Sequence, residues 1–184
     1  MDFYTEIEQY LLGLKELIDK VDRKEINAVL NKLLETYKRG GFIYIFGNGG
    51  SAATASHFVN DFNKGASEQL KKRFKFISLN DNVSTVLAIA NDINYSEVFK
   101  FQLENYLSCN DLVIGISGSG NSENVINAIS FAKERGAETI ALVGYGGGKL
   151  KEIAHISIHI PIYDMQKVED LHMVMDHLMM KILK

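Results

Sequence analysis

The sequence predicts an α/β fold: a doubly wound, five-stranded parallel sheet flanked by helices and preceded by two amphipathic helices. Five short β-rich runs, Phe42 to Phe46, Phe74 to Leu79, Leu112 to Ser117, Thr139 to Val143 and Ile156 to Pro161, alternate with helical stretches. These runs are apolar at successive positions, the pattern of parallel strands covered on both faces within βαβ units. Glycine- and serine-rich turns follow three of the runs, at the carboxyl ends of the strands, where open α/β sheets bind their ligands.

In chain order, Phe3, Ile7, Tyr10, Leu11, Leu14, Leu17 and Ile18 recur with helical period and give a first helix. Asp22 with Glu25 forms a capping-box pattern ahead of Ile26, Val29, Leu30, Leu33, Leu34 and Tyr37, a second helix. The two apolar stripes exceed what one small sheet would cover, so residues 1–40 are expected to pack in an oligomer. After Gly40-Gly41 the βα alternation begins and runs without a linker. Residues 1–184 therefore read as one domain, with 41–184 as its α/β core. Met165, Met173, Met175, Met179 and Met180 read as packing for the last helix.

Composition narrows the function. The chain has 184 residues, 46% of them hydrophobic, and a single proline, enough for a sizeable core. Its formal charge is −3 and its cations are scattered, with Lys71-Lys72-Arg73 the only tight cluster, so a nucleic-acid partner is not expected. Cys109 stands alone, which excludes an intrachain disulfide and a multi-cysteine zinc site. Met1 to Lys20 mixes Asp2, Glu6, Glu8, Lys15, Glu16 and Asp19 among its apolar residues, unlike a signal peptide, and no run reaches membrane-spanning length. A cytoplasmic protein without a membrane partner is expected.

Gly47-Asn48-Gly49-Gly50-Ser51-Ala52 fits the dinucleotide pattern G-x-G-x-x-A, but the second strand ends at Asn80-Asp81, over thirty residues later, too far for the acidic ribose ligand such sites need. Three glycines with Asn48 and Ser51 still exceed what a plain connection requires, and imply a ligand close to the backbone. Ser117-Gly118-Ser119-Gly120-Asn121-Ser122 offers hydroxyls and amides at a helix N-terminus, where an anion is favoured. An N-cap role would account for Ser122 alone. Gly144 to Lys149 has the wrong spacing for a P-loop, and Leu150 stands where Ser or Thr is needed, so an NTPase is excluded. His155 and His159, alternating along a strand, read as ordinary histidines.

His57 and Asp61 lie at i and i+4, aimed the same way. On the last helix Glu169 and His177 are eight residues apart, about 80° on the helical wheel, with His172 on the same flank. Two imidazoles and two carboxylates suit zinc or another divalent transition metal. Beside two phosphate-friendly turns, the set suggests an enzyme acting on a sugar phosphate.

These motifs, with Ala90-Asn91-Asp92, Gly144, Gly147-Gly148-Lys149 and Glu169-Asp170-Leu171-His172, resemble the phosphoheptose isomerase family of the sugar isomerase (SIS) superfamily from first helix to last. The resemblance implies interconversion of sedoheptulose 7-phosphate and D-glycero-D-manno-heptose 7-phosphate, the opening step of bacterial heptose synthesis, by a homotetramer with active sites between subunits. It implies substrate contacts from Asn48, Gly49, Gly50, Ser51, Asn91, Asp92, Ser117, Gly118, Ser119, Ser122 and Glu169. Zinc is implied among His57, Asp61, Glu169 and His177, with Asp61 as the base and His177 as the acid. Three positions depart from the family pattern: Asp61 replaces a glutamate, Glu169 replaces a glutamine, and Ser117-Gly118-Ser119 lacks a central hydroxyl. The departures leave room for a related sugar phosphate, and the alternative class is a non-catalytic SIS protein that binds a sugar phosphate or a partner, like the replication-initiator-associating relatives.

Overall fold

The computed structural model describes all residues, Met1–Lys184. Helices α1 (Tyr4–Lys20) and α2 (Arg23–Arg39) open the chain. There follow β1 (Ile43–Gly47), α3 (Gly50–Asn60), β2 (Phe76–Ser78), α4 (Val83–Asp92), α5 (Lys100–Tyr106), β3 (Leu112–Ser117), α6 (Glu123–Glu134), β4 (Glu138–Val143), α7 (Gly148–Ile153), β5 (Ile156–His159) and α8 (Met165–Leu183). The five strands pair in parallel in the order β2-β1-β3-β4-β5, the flavodoxin-like winding whose direction reverses between β1 and β3.

Successive side chains of a strand point to opposite faces, and here each face has its own core. Ile43, Ile45, Leu112, Ile114, Ile116, Ile140 and Leu142 pack with residues of α2, α3 and α8. Tyr44, Phe46, Val113, Ala141 and Val143 pack on the other side with α5, α6 and α7. Gly115 lets α6 approach closely, since a Cβ there would meet Val125 and Ile129.

The elements fall where the sequence predicts them, their ends less closely. The run from Phe74 to Leu79 contributes only three residues of strand, because β2 is an edge: the Asn63 side chain receives the Phe76 N–H at 2.9 Å and donates to its carbonyl at 2.8 Å. Phe74 instead packs against Tyr37 and Phe62. Asp22 caps α2 through the Lys24 N–H at 2.7 Å, but Glu25 does not close the capping box, since its carboxylate accepts from the His159 N–H of β5 at 3.0 Å. Helix α1 is held to α8 by the Tyr10 hydroxyl, which donates to Asp170 at 2.5 Å. That bond, first among several causes, pushes the phenol up to about 12. The outer side of α1 stays bare: Tyr4, Ile7, Leu11 and Leu12 are more than half exposed. No helix is long and apolar enough to cross a membrane.

Candidate active site

Two loops meet at the β1/β3 reversal. Gly49, with φ +54°, turns the chain from β1 into α3, and the serine run turns it from β3 into α6. The N-termini of α3 and α6 therefore border one cleft, each bringing unpaired amides and the positive end of its dipole. Asn48, Gly49, Gly50, Ser51, Ser117, Gly118, Ser119, Ser122 and Glu169 line it together, with Ile116 and Met165. Ser122 sits at the N-cap of α6 but makes no capping bond; its hydroxyl lies 3.0 Å from that of Ser117, which is 3.5 Å from that of Ser119. Three hydroxyls thus converge where the helix amides point.

The serine loop is braced from behind by the Gly144 to Gly148 turn. Gly144 N–H donates to the Gly118 carbonyl at 3.0 Å, Leu150 N–H to the Gly120 carbonyl at 2.9 Å, and Lys149 N–H to the Asn121 side chain at 3.1 Å. Gly120 and Gly148 both have positive φ and lie backbone to backbone. The third glycine turn is thus a scaffold for the second. On the other flank, Asn48 and Asn124 exchange amide hydrogen bonds at 2.9 Å, and the Tyr95 hydroxyl donates to Asn48 at 2.8 Å. Asn124 and Tyr95 escaped the sequence reading because their role is to orient Asn48 across long chain separations.

Asn91 and Asp92 are not among the residues that line this cleft. They lie exposed at the end of α4, where the Asn91 amide donates to Asp92 at 2.7 Å.

Along α3 and α8, away from the cleft, lies a second cluster. His57 Nε2 and His177 Nε2 face each other at 3.1 Å, and Asp61 lies 3.6 Å from the first and 3.9 Å from the second. Asp61 opens a π-helical turn, Asp61–Ala66, that continues α3; such turns are rare and concentrate at functional sites. Asp176 completes the group: one ligand atom from each of His57, Asp61, Asp176 and His177 can be chosen so that all lie within 4.8 Å of one another. Glu169, expected in this group from the sequence, instead has its carboxylate against Gly50, where any added Cβ would strike it. The reason is axial: eight residues of helix separate Glu169 from His177 by about 12 Å.

Two buried ionisable groups on α8 lack hydrogen-bond partners. His172 makes no hydrogen bond of good geometry, and burial pushes its ring down to about 4, an effect only partly offset by the Val143 backbone. Asp176 has both carboxylate oxygens buried and unpaired; burial first, and the charge of Asp61 second, push it up to about 8. In sequence its only signal is an aspartate among the core-facing residues Val168, Leu171, His172, Met175 and Met179.

A sheet with this winding, and a cleft at its reversal, is the arrangement of an SIS-domain protein, and the SIS domain family model matches residues 6–144. The chain is 38% identical to the phosphoheptose isomerase of Helicobacter pylori, over 94% of this chain and 91% of that protein. It is 40% identical to that of Aliarcobacter butzleri, over 82% and 79%. The solved structure of phosphoheptose isomerase GmhA from Neisseria gonorrhoeae superposes with a TM-score of 0.91 at 26% identity, covering 99% of this chain and 98% of that one. The chain belongs to the phosphoheptose isomerase family of SIS-domain proteins.

Proposed function

We propose that the chain is an aldose-ketose isomerase that interconverts sedoheptulose 7-phosphate and D-glycero-D-manno-heptose 7-phosphate through an enediol. The observation that carries this reading is the placement of two chemistries along one helix. Gly50, at the amide-rich cleft, and His57, in the imidazole-carboxylate cluster, are seven residues or about 10 Å apart along α3. An extended sugar phosphate needs that arrangement, with its phosphate held at one end and its carbonyl presented at the other.

Ser117, Ser119, Ser122 and the amides after Gly49 hold the phosphate, and Glu169 is placed to accept from sugar hydroxyls. Asp61 takes the proton from one carbon of the C1–C2 pair and returns it to the other. His177, 3.9 Å from Asp61, exchanges protons with the carbonyl and hydroxyl oxygens. The two roles suit different groups because the carbon protons leave and return at a face of the planar enediol, whereas the oxygens exchange theirs at its edge.

The donor set fits a divalent ion. Two imidazole nitrogens facing each other at 3.1 Å cannot both carry hydrogen, and a buried carboxylate without a partner wants a cation. His57, Asp61 and His177, two nitrogens and a carboxylate, would hold zinc. The chemistry such an ion supplies when bound is Lewis-acid polarisation of the carbonyl.

Asn91 and Asp92, exposed and outside the lining of their own chain's cleft, fit an active site shared between subunits. The bare face of α1 likewise supports a homotetramer. The decisive experiment incubates the purified protein with sedoheptulose 7-phosphate, with and without added zinc, and follows the sugar by NMR. Appearance of the aldose supports the assignment; sedoheptulose 7-phosphate that stays unchanged in the presence of zinc rejects it.

A further inference from the structure

We propose that Asp176 is the fourth ligand of the metal site and that Glu169 serves the sugar-phosphate cleft alone. This rests on the metal-assisted reading above, and it gives a role to a residue that the three ligands named there leave out.

Asp176 is fully buried, and neither of its oxygens has a hydrogen-bond partner. A carboxyl group in that state is strongly unfavourable as the anion and must either keep its proton or meet a cation. The groups facing it are the three that already form a ligand set: Asp61 on the π-helical turn, His57 on α3 and His177 beside it on α8. His172, one turn earlier on its own helix, makes no hydrogen bond to it. Donors about 2.1 Å from a tetrahedral zinc lie roughly 3.4 Å from one another. The four donor atoms, within 4.8 Å of one another, need only a small contraction to reach that spacing. Two carboxylates and two neutral imidazoles would also neutralise a divalent ion, with no charge left over between α3 and α8.

Glu169 cannot share this duty from its observed place. Its carboxylate is against Gly50 in the cleft, about two helical turns from His177. The chain therefore divides between two residues of α8 what one residue would otherwise do: Asp176 binds the ion, and Glu169 contacts the sugar.

The test measures metal directly. Zinc affinity is determined by chelator competition on wild type, Asp176→Asn, Asp176→Leu and Glu169→Gln, and each protein loaded with cobalt(II) is examined by visible absorption. Asp176→Asn and Asp176→Leu should lose more zinc affinity than the ~10- to 100-fold typical of removing an outer-sphere partner, and should change the cobalt spectrum. Glu169→Gln should stay within about threefold of wild type in affinity and keep its cobalt spectrum. Asp176→Leu covers a folding failure of the amide variant: replacing an unpaired buried carboxylate by an apolar group of similar size should leave the metal-free melting temperature equal or higher, while the rise on adding zinc disappears. Zinc affinity and cobalt spectrum unchanged in both Asp176 variants, or lost in Glu169→Gln instead, would overturn the assignment. These readouts do not use the isomerase reaction, so a protein that binds zinc through Asp176 yet converts no sugar would reject the proposed activity and leave the ligand standing.

Discussion

Gly120→Ala isolates how the serine loop is built. Gly120 has φ +69°, and a Cβ there would land on the Gly147 carbonyl, with Gly147 C at 2.5 Å and Gly148 N at 3.0 Å. The left-handed conformation costs a non-glycine residue about 1–2 kcal/mol, and the forced displacement of packed backbone adds about 1–3 kcal/mol. Together these amount to roughly 2–5 kcal/mol, or about 4–20 °C in melting temperature for a chain of this size. Gly136→Ala is the matched control. Gly136 has φ +76°, but its nearest neighbour is the Cys109 Cβ at 3.8 Å, so only the conformational cost applies. The collision at Gly120 also pushes on the loop that carries Ser117, Ser119 and Ser122, and misplacing a contact by about 1 Å can cost 10²-fold. Thermal melts of both variants and KM for sedoheptulose 7-phosphate check this. Gly120→Ala should melt several degrees below Gly136→Ala and bind substrate at least about tenfold more weakly, whereas equal melting temperatures and an unchanged KM would refute the two-loop brace.

Other consequences are simpler to state. Ser119→Ala and Ser122→Ala should each raise KM by about 10- to 100-fold with kcat nearly constant, because each removes a hydrogen bond to a charged group that does not change during reaction; steady-state kinetics decide, and a fall in kcat alone would contradict the role. His172 should add an acid-sensitive component to the stability of the chelator-treated protein: the unfolded ring binds a proton below its ordinary value of 6.5, the buried one only below about 4. On His172 the unfolded state therefore holds more protons in that window, and this residue's contribution to stability should fall by roughly 3 kcal/mol as pH drops from 6.5 to 4, while Asp176, raised to about 8, acts in the opposite sense. Urea melts at pH 7 and pH 4.5 should show His172→Leu free of that component. Light scattering should give a tetramer, and Leu11→Glu on the bare face of α1 should shift it toward smaller species.

The fold was readable because a buried parallel sheet needs apolar residues on both faces of every central strand, and β1, β3 and β4 meet that demand within a residue of the expected bounds. Edges were less legible: the end of β2 depends on Asn63, thirteen residues before Phe76. In the site, residues that line the cleft through their own turn were visible, since glycine and serine at a strand end have few other uses. Residues that act across the fold were not. Asn124 and Tyr95 orient Asn48 from other elements, and Asp176 looks in sequence like an interruption of a core-facing helix surface. The spacing of Glu169 and His177 gave their angle about the helix but discounted their axial separation, which sends one to the cleft and the other to the histidine cluster.

The most direct test of the account follows sedoheptulose 7-phosphate in D₂O by NMR with the wild type and Asp61→Asn, both zinc-loaded to the same content. The wild type should form the aldose and incorporate solvent deuterium at the carbons of the C1–C2 pair. Asp61→Asn keeps the shape of the side chain but cannot accept a proton, and should slow both processes by the 10²- to 10⁴-fold typical of general acid-base catalysis. Conversion by Asp61→Asn at the wild-type rate would contradict the proposed mechanism.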